Sequence, residues 1–276
     1  MIQNIRHPLD EYLRVERFPH IWCEGCGLGT ILNCLLRAIK DVGFDYRNIA
    51  FVTGIGCAGR SAGYVRFDSI HVTHGRAIPV ALAAKVSKPI LKPIILSGDG
   101  DLFSIGTSHF VHAARRNVDM LVICSNNFNY GMTGGQFSPT TPTDSLTSTT
   151  PRGNSENALN LISFAAACGA IYISRWAIHT PVQLTASIRR ALTKRGFSFI
   201  EVVNQCPTLY GRYNKMGTAV DMMRQIKNIS EIRNGLSPYE TIIDPSKKIT
   251  LGNFLDGEKP EFSARILNMI EAAQHA

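Results

Sequence analysis

Residues 93–127 constrain the fold more than any other stretch of this chain. An apolar run, Pro93-Ile94-Ile95-Leu96, has the length and content of a short buried strand. It ends in Gly98-Asp99-Gly100-Asp101, where glycines permit a tight turn and a close approach of backbone to a ligand. A helical segment is expected from Leu102 to about Arg116, then a second buried strand from Met120 to Ser125 that delivers Asn126 and Asn127. This is a βαβ unit with polar residues at the carboxyl ends of two parallel strands, where open α/β sheets bind ligands. Asp99 offers a hard anionic oxygen and Asn127 a neutral carbonyl oxygen, donors that suit Mg²⁺ carrying a substrate phosphate. The first turn of the helix after Gly100 presents unpaired N–H groups, which favour anions.

A lone Gly-Asp-Gly is an ordinary turn. Following one strand, with Asn-Asn at the end of the next, it resembles the thiamine diphosphate signature.

The 276 residues, 45% of them apolar, suffice for one large α/β domain or two small ones. The net charge of +8 is spread over separate pairs such as Arg115-Arg116, Arg189-Arg190, Lys194-Arg195 and Lys247-Lys248. No basic stripe interleaved with aromatic residues appears, so an acidic protein partner or an anionic substrate is expected rather than nucleic acid. The N-terminal stretch is charged and shows no secretory signal. The best candidate for a membrane span, 159–178, contains Asn160, Ser163, Gly169 and Arg175 and reads as helix, turn and strand. A cytoplasmic location without membrane association is expected.

Seven cysteines in such a chain point to metal or redox use rather than disulfides. Cys34, Cys124 and Cys168 lie in apolar periodic segments and are expected in the core. Cys23, Cys26, Cys57 and Cys206 lie among glycine, proline and turn residues: a C-x-x-C loop before a helix from Thr30 to Lys40, the end of a strand at 49–53, and Cys206-Pro207 after a strand at 199–203. Four thiolates suit a [4Fe–4S] cluster or structural zinc. The single C-x-x-C lacks the second knuckle of a zinc ribbon, and a metal-free role stays open.

Between Ser69 and Lys88 a further βα unit carries His74 and Arg76 at its turn, where a ligand would sit; His109 and His112 read as structural. Residues 138–157, rich in Ser, Thr and Pro, are either a flexible linker or an ordered active-site loop. Helices and strands alternate through most of the chain, which implies an α/β fold with a doubly wound, mainly parallel sheet. The expected division is a cofactor-binding domain over 1–207 and a polar arm over 208–276 that packs on the core or on a partner subunit.

Taken in order, WCEGCG, GIGC, HGRAIP, GDGD…NN, YGMTGGQFSPTTP and CPTLYGR resemble the β subunit of 2-oxoacid:ferredoxin oxidoreductases, and the GMTGGQ-SPTTP wording is most similar to 2-oxoglutarate oxidoreductases. The resemblance implies a thiamine diphosphate-binding fold. It implies Asp99, Asn127 and the Asn129 backbone carbonyl as Mg²⁺ ligands, and Cys23, Cys26, Cys57 and Cys206 as ligands of a [4Fe–4S] cluster. Around the cofactor it implies Gly56, Cys57, His74, Gly98, Gly100, Asp101, Tyr130, Gly131, Met132 and Thr133, with His74 and Arg60 as candidate catalytic residues. The implied reaction is the reversible, coenzyme A-dependent oxidative decarboxylation of a 2-oxoacid, best matched by 2-oxoglutarate to succinyl-CoA and CO₂, with electrons passing through the cluster to ferredoxin. Pyruvate or branched-chain 2-oxoacids, a non-redox thiamine diphosphate lyase or synthase, and a cluster-bearing electron-transfer module are the alternatives. Such enzymes need a second domain that supplies a glutamate to the aminopyrimidine. That domain is not visible here, so an α subunit is expected, in an αβ dimer of dimers. The chain departs from its relatives at Glu24 (often Pro), Arg60 (often Lys) and Gly134 (sometimes Lys).

Overall fold

The computed structural model describes residues 7–245 and 247–274; the first six residues, part of the charged N-terminal stretch, lie outside the described set. The elements are α1 (Leu28–Val42), β1 (Ile49–Thr53), β2 (Ser69–His71), α2 (Ala77–Ser87), β3 (Lys92–Gly98), α3 (Thr107–Arg115), β4 (Met120–Asn126), α4 (Leu161–Ala167), β5 (Tyr172–Ala177), α5 (Pro181–Thr193), β6 (Phe197–Val203), α6 (Ala219–Ile229), β7 (Ser230–Ile232), β8 (Ile243–Asp244), β9 (Lys248–Asp256) and α7 (Phe262–Gln274). One sheet runs in the order β2-β1-β3-β4-β6-β5-β9-β7, with β8 on β9. The six strands from β2 to β5 are parallel, as the βαβ reading requires.

Helices cover both faces of the sheet, so its central strands are apolar on both sides. Ile94, Leu96, Leu121 and Ile123 face one core with Ile31, Leu35 and Ile188, from α1 and α5. Ile95, Met120, Val122 and Cys124 face the other, with Ala81 of α2, Phe110 of α3 and Ile162 of α4. Phe110 is fully buried, with its ring centroid 5.0–5.7 Å from those of Phe103, Phe164, Phe197 and Phe199. Phe110→Ala is expected to cost about 3–5 kcal/mol, because the surrounding rings belong to three separate segments and cannot collapse together. Denaturant unfolding is the check.

One sequence expectation is revised and two are made specific. The helix placed from Leu102 opens instead as a wide π turn over Asp101–Ile105, and α3 follows it. Gly106 permits this: a Cβ there would meet the Asp101 carbonyl oxygen at 2.6 Å. Residues 138–157 are an ordered loop, in which Thr141 donates to the Phe128 carbonyl (2.6 Å) and Asn154 to the Thr141 carbonyl (2.9 Å). Residues 208–276, expected as a polar arm that packs on the core or on a partner subunit, contain regular elements. They include β9, which pairs antiparallel with β5 and extends the main sheet, and α6, opened by a Thr218–Asp221 capping box. Cys34 and Cys124 are buried as expected, while Cys168 is half-buried. Among the described residues no helix is long and apolar enough to cross a membrane.

Candidate functional site

Strand order reverses between β1 and β3: the chain leaves β1 for β2 on one side, then returns to β3 on the other. Crevices at such switch points are where open α/β sheets bind ligands. Here the crevice is lined by Ile55, Gly56 and Cys57 after β1, His74 after β2, Gly98 to Asp101 after β3, and Asn127, Asn129 and residues 130–133 after β4. Its enclosed volume is only about 50 Å³. A Cβ built on Gly98 or on Gly56 would project into open space, so the volume beside these two backbones is free for a ligand. Gly100 is different: a Cβ there would stand 2.6 Å from ring carbons of Tyr130, whose hydroxyl donates to the Gly100 carbonyl (2.9 Å). Gly100→Ala is therefore expected to displace Tyr130, at a cost of about 1–3 kcal/mol, and to weaken thiamine diphosphate binding in a calorimetric titration.

Asp99 is 1% exposed, and burial pushes its carboxyl up to about 6. Ser138 and Thr140 both donate to its Oδ2, at 2.5 and 2.6 Å. No cation faces it among these contacts. One terminal atom of the Asn127 amide lies 2.7 Å from the Asn129 carbonyl oxygen and 3.2 Å from both Asp99 Oδ1 and Asn129 Oδ1. In the metal-free chain an NH₂ group suits that position. With the amide oxygen turned there, as the Asn129 N–H to Asn127 Oδ1 contact of 3.4 Å has it, the oxygens of three residues converge with no proton between them. Oxygens of Asp99, Asn127 and Asn129 in that orientation form a hard-donor set, and spacings near 3 Å suit neighbouring ligands around octahedral Mg²⁺. The residues present fit the metal.

His74 lies beside this centre. Its Nδ1 is 2.8 Å from Asp101 Oδ1, its side chain is about one-third exposed, and its ring is tilted against Tyr130. Asp101 is fully engaged by protein: Oδ1 also accepts from the Ile55 and Gly75 amides (3.1 and 2.9 Å), and Oδ2 from Ser97 (2.7 Å). Asp101 therefore ties the segments after β1 and β2 to the turn after β3, and His74 lines the cavity beside it. Gly54 has no room for any side chain, because a Cβ would run into this carboxylate.

Cys23, Cys26, Cys57 and Cys206 line one second cavity, and no disulfide joins them. Burial and the neighbouring thiols push Cys26 and Cys57 up to about 11. Thiolate charge there lacks a counter-charge, which iron would supply. Among the described residues no three or more His, Cys, Asp or Glu side chains are grouped around a single ion. The sulfurs share a cavity without closing on one point, as tetrahedral zinc requires. Trp22 donates to the Cys57 carbonyl (2.7 Å), and Gln205 donates to the carbonyls of Gly25 (2.6 Å) and Ala219 (2.8 Å), locking the C-x-x-C loop against α6. Cys57, Asn127, Leu28 and Met132 line both cavities, so the two sites share a wall. A Cβ on Gly131, within that wall, would lie 3.5 Å from Cys57 Sγ and 3.7 Å from Cys206 Sγ.

Not every expected residue converges. Arg60 is exposed and lines neither cavity, and Glu24 is exposed on the outer face of the cysteine loop. Thr133 lines the first cavity but spends its hydroxyl on Gln136 (2.6 Å). Sequence reasoning missed Ser138, Thr140, Trp22 and Gln205. The density of hydroxyl residues in 138–157 was the available signal for the first two.

A switch-point crevice with an Asp–Asn–Asn oxygen set beside open glycine backbone defines a thiamine diphosphate-binding α/β domain. Residues 54–202 match the thiamine pyrophosphate enzyme family, C-terminal TPP-binding domain. The chain is 45% identical to 2-oxoglutarate synthase subunit KorB of Methanocaldococcus jannaschii over 96% of its own length and 98% of that protein. It is 39% identical to the KorB subunit of Archaeoglobus fulgidus over 93% and 92% of the two chains. A solved 2-oxoglutarate:ferredoxin oxidoreductase from Magnetococcus marinus, with 2-oxoglutarate, coenzyme A and succinyl-CoA bound, superposes with a TM-score of 0.84 at 30% identity, covering 99% of this chain and 92% of the other. The chain belongs to the β subunits of the 2-oxoacid:ferredoxin oxidoreductases.

Proposed function

We propose that this chain is the β subunit of a coenzyme A-dependent 2-oxoglutarate:ferredoxin oxidoreductase, forming succinyl-CoA and CO₂ from 2-oxoglutarate. The observation that carries this reading is the shared wall. Cys57 and Asn127 belong at once to the metal–diphosphate crevice and to the four-thiol cavity. A non-redox lyase has no use for that adjacency. The names of the relatives supply the substrate.

Asp99, Asn127 and the Asn129 carbonyl would hold Mg²⁺, and the open backbone at Gly56 and Gly98 would receive the diphosphate. Cys23, Cys26, Cys57 and Cys206 would hold a [4Fe–4S] cluster. Bound here, thiamine diphosphate supplies the electron sink for decarboxylation and the cluster a one-electron acceptor. His74, on the crevice wall beside Asp101, would offer its ring for hydrogen bonding or proton exchange with the substrate. Met132 and Tyr130 wall the crevice.

An enclosed volume of about 50 Å³ is far below the ~300–1,000 Å³ of a complete small-molecule pocket, so this chain presents half of the site. An α subunit closes it, in an αβ dimer of dimers. The net charge of +8 suits recruitment of an acidic ferredoxin. Anaerobic assays of the chain with and without its α partner test the reading. The complex is expected to reduce ferredoxin with 2-oxoglutarate and coenzyme A, faster than with pyruvate or branched 2-oxoacids, and the isolated chain to be inactive. Equal turnover by the isolated chain, or preference for pyruvate, overturns it.

A further inference from the structure

A fully buried ion pair stands in the middle of the sheet. Arg175 of β5 and Glu201 of β6 are direct cross-strand partners, and both side chains are 0% exposed. Every nitrogen of Arg175 is used: Nε to Glu201 Oε2 (2.7 Å), Nη1 to the carbonyls of Ile242 and Thr250 (3.1 and 3.2 Å), Nη2 to Asn160 Oδ1 (2.9 Å). Apolar residues of similar volume generally stabilise such positions as well or better, so a pair like this calls for another reason.

The reason lies in the second oxygen of Glu201. It accepts from Asn126 Nδ2 (2.7 Å), which fixes which way the Asn126 amide points. Asn126 Oδ1 is thereby aimed at two groups. One is the Phe128 amide (3.1 Å), an Asx turn that holds Phe128 at φ +64° and brings Asn127 and the Asn129 carbonyl to the same side. The other is the Thr140 hydroxyl (3.0 Å), which also stands 2.6 Å from Asp99 Oδ2. Thr140 has one proton and three oxygens within reach, Asp99 Oδ2, Asn126 Oδ1 and Ser138 Oγ (3.1 Å), so Asn126 competes with Asp99 for that proton and its orientation bears on how the hydroxyl meets the carboxylate.

We propose that Asn126, locked by Glu201 and Arg175, is the positioning residue of the divalent-metal site, setting the Asn127–Asn129 turn and the Asp99 carboxylate together. The proposal rests on the metal–diphosphate reading above. Outer-shell groups of this kind change metal affinity by about 10–100-fold.

The test uses the assembled complex and Mn²⁺ as a paramagnetic probe, titrated in the presence of thiamine diphosphate. Asn126→Ala and the apolar double variant Arg175→Met/Glu201→Met are each expected to weaken Mn²⁺ binding at least tenfold. The double variant is expected to melt lower, because the Ile242 and Thr250 carbonyls, Asn160 Oδ1 and Asn126 Nδ2 lose buried partners. Thr140→Val removes only the shared hydroxyl and keeps the test decisive if the larger changes fail to fold. It is expected to weaken Mn²⁺ binding about tenfold, and Thr140→Ser to restore it. Unchanged Mn²⁺ affinity in folded Asn126→Ala or in Thr140→Val overturns the proposal. A wild-type complex that binds no Mn²⁺ with thiamine diphosphate overturns the cofactor reading itself, an outcome the variants alone do not produce.

Discussion

Asp99→Asn is expected to abolish metal-dependent thiamine diphosphate binding, weakening it more than about 100-fold, while the fold is kept. The substitution preserves shape and removes only charge. In the wild-type chain the carboxylate is buried, burial raises its pKa, and its Oδ2 is held by two hydroxyl donors. That arrangement burdens the metal-free protein with a buried anion and makes sense when a cation faces Oδ1. Mg²⁺ is a hard ion that demands anionic oxygen, and an amide is a poor replacement. Changes to groups that merely orient a metal ligand cost about 10–100-fold in metal affinity, so loss of the one charged side-chain ligand in the proposed set exceeds that. Calorimetric titration of Mg²⁺ and thiamine diphosphate into the complex measures the effect. Thermal unfolding of the metal-free variant is expected at or above the wild-type temperature, because a buried charge has gone. Near-wild-type affinity would remove Asp99 from the site.

Cys57→Ser is expected to give a colourless complex with iron and acid-labile sulfide reduced to background, no transfer of electrons to ferredoxin, and thiamine diphosphate still bound. Serine matches the volume of cysteine, so the wall shared by the two cavities stays closed. The contacts that position residue 57 are backbone ones: its carbonyl accepts from Trp22. What is lost is the soft thiolate that iron–sulfur clusters require. Cys57 is also the ligand position common to both cavities, so the variant separates the two functions on one side chain. Iron and sulfide retained at the wild-type level would show that the ligand set is not Cys23, Cys26, Cys57 and Cys206. Loss of thiamine diphosphate along with the iron would show that the two sites do not load independently.

Much of the architecture was legible because its signals are local. The apolar runs at 49–53, 93–96 and 120–125 became β1, β3 and β4 with small shifts of boundary. Pro181 opens α5, as a proline at a first helical turn should. Other features were not local. Residues 208–276 read as polar and weakly patterned because β9, an antiparallel addition to a parallel sheet, is specified by the strand it meets, and β5 is seventy-odd residues away. The loop 138–157 resembled a linker because its order comes from hydroxyls bonded to distant groups, such as Ser138 and Thr140 on Asp99.

The candidate site divides in the same way. Asp99, Asn127, His74 and the four cysteines were visible because each sits in a short motif at the end of an apolar run, and a motif survives in one dimension. Arg60, offered as a candidate beside a structural ion-pair reading, lies exposed outside both cavities, because a side chain's direction depends on the turn that carries it.

The amino-acid sequence alone determined the alternation of strands and helices, the turns at the strand ends and the donors they carry, since these follow from backbone freedom and residue chemistry over a few positions. Only the tertiary structure decided that Cys57 lines two cavities, that Asp101 lies against His74, and that Arg175, Glu201 and Asn126 stand behind the Asn127–Asn129 turn. Those are contacts between side chains far apart along the chain, and the packing of the sheet brings them within hydrogen-bonding distance.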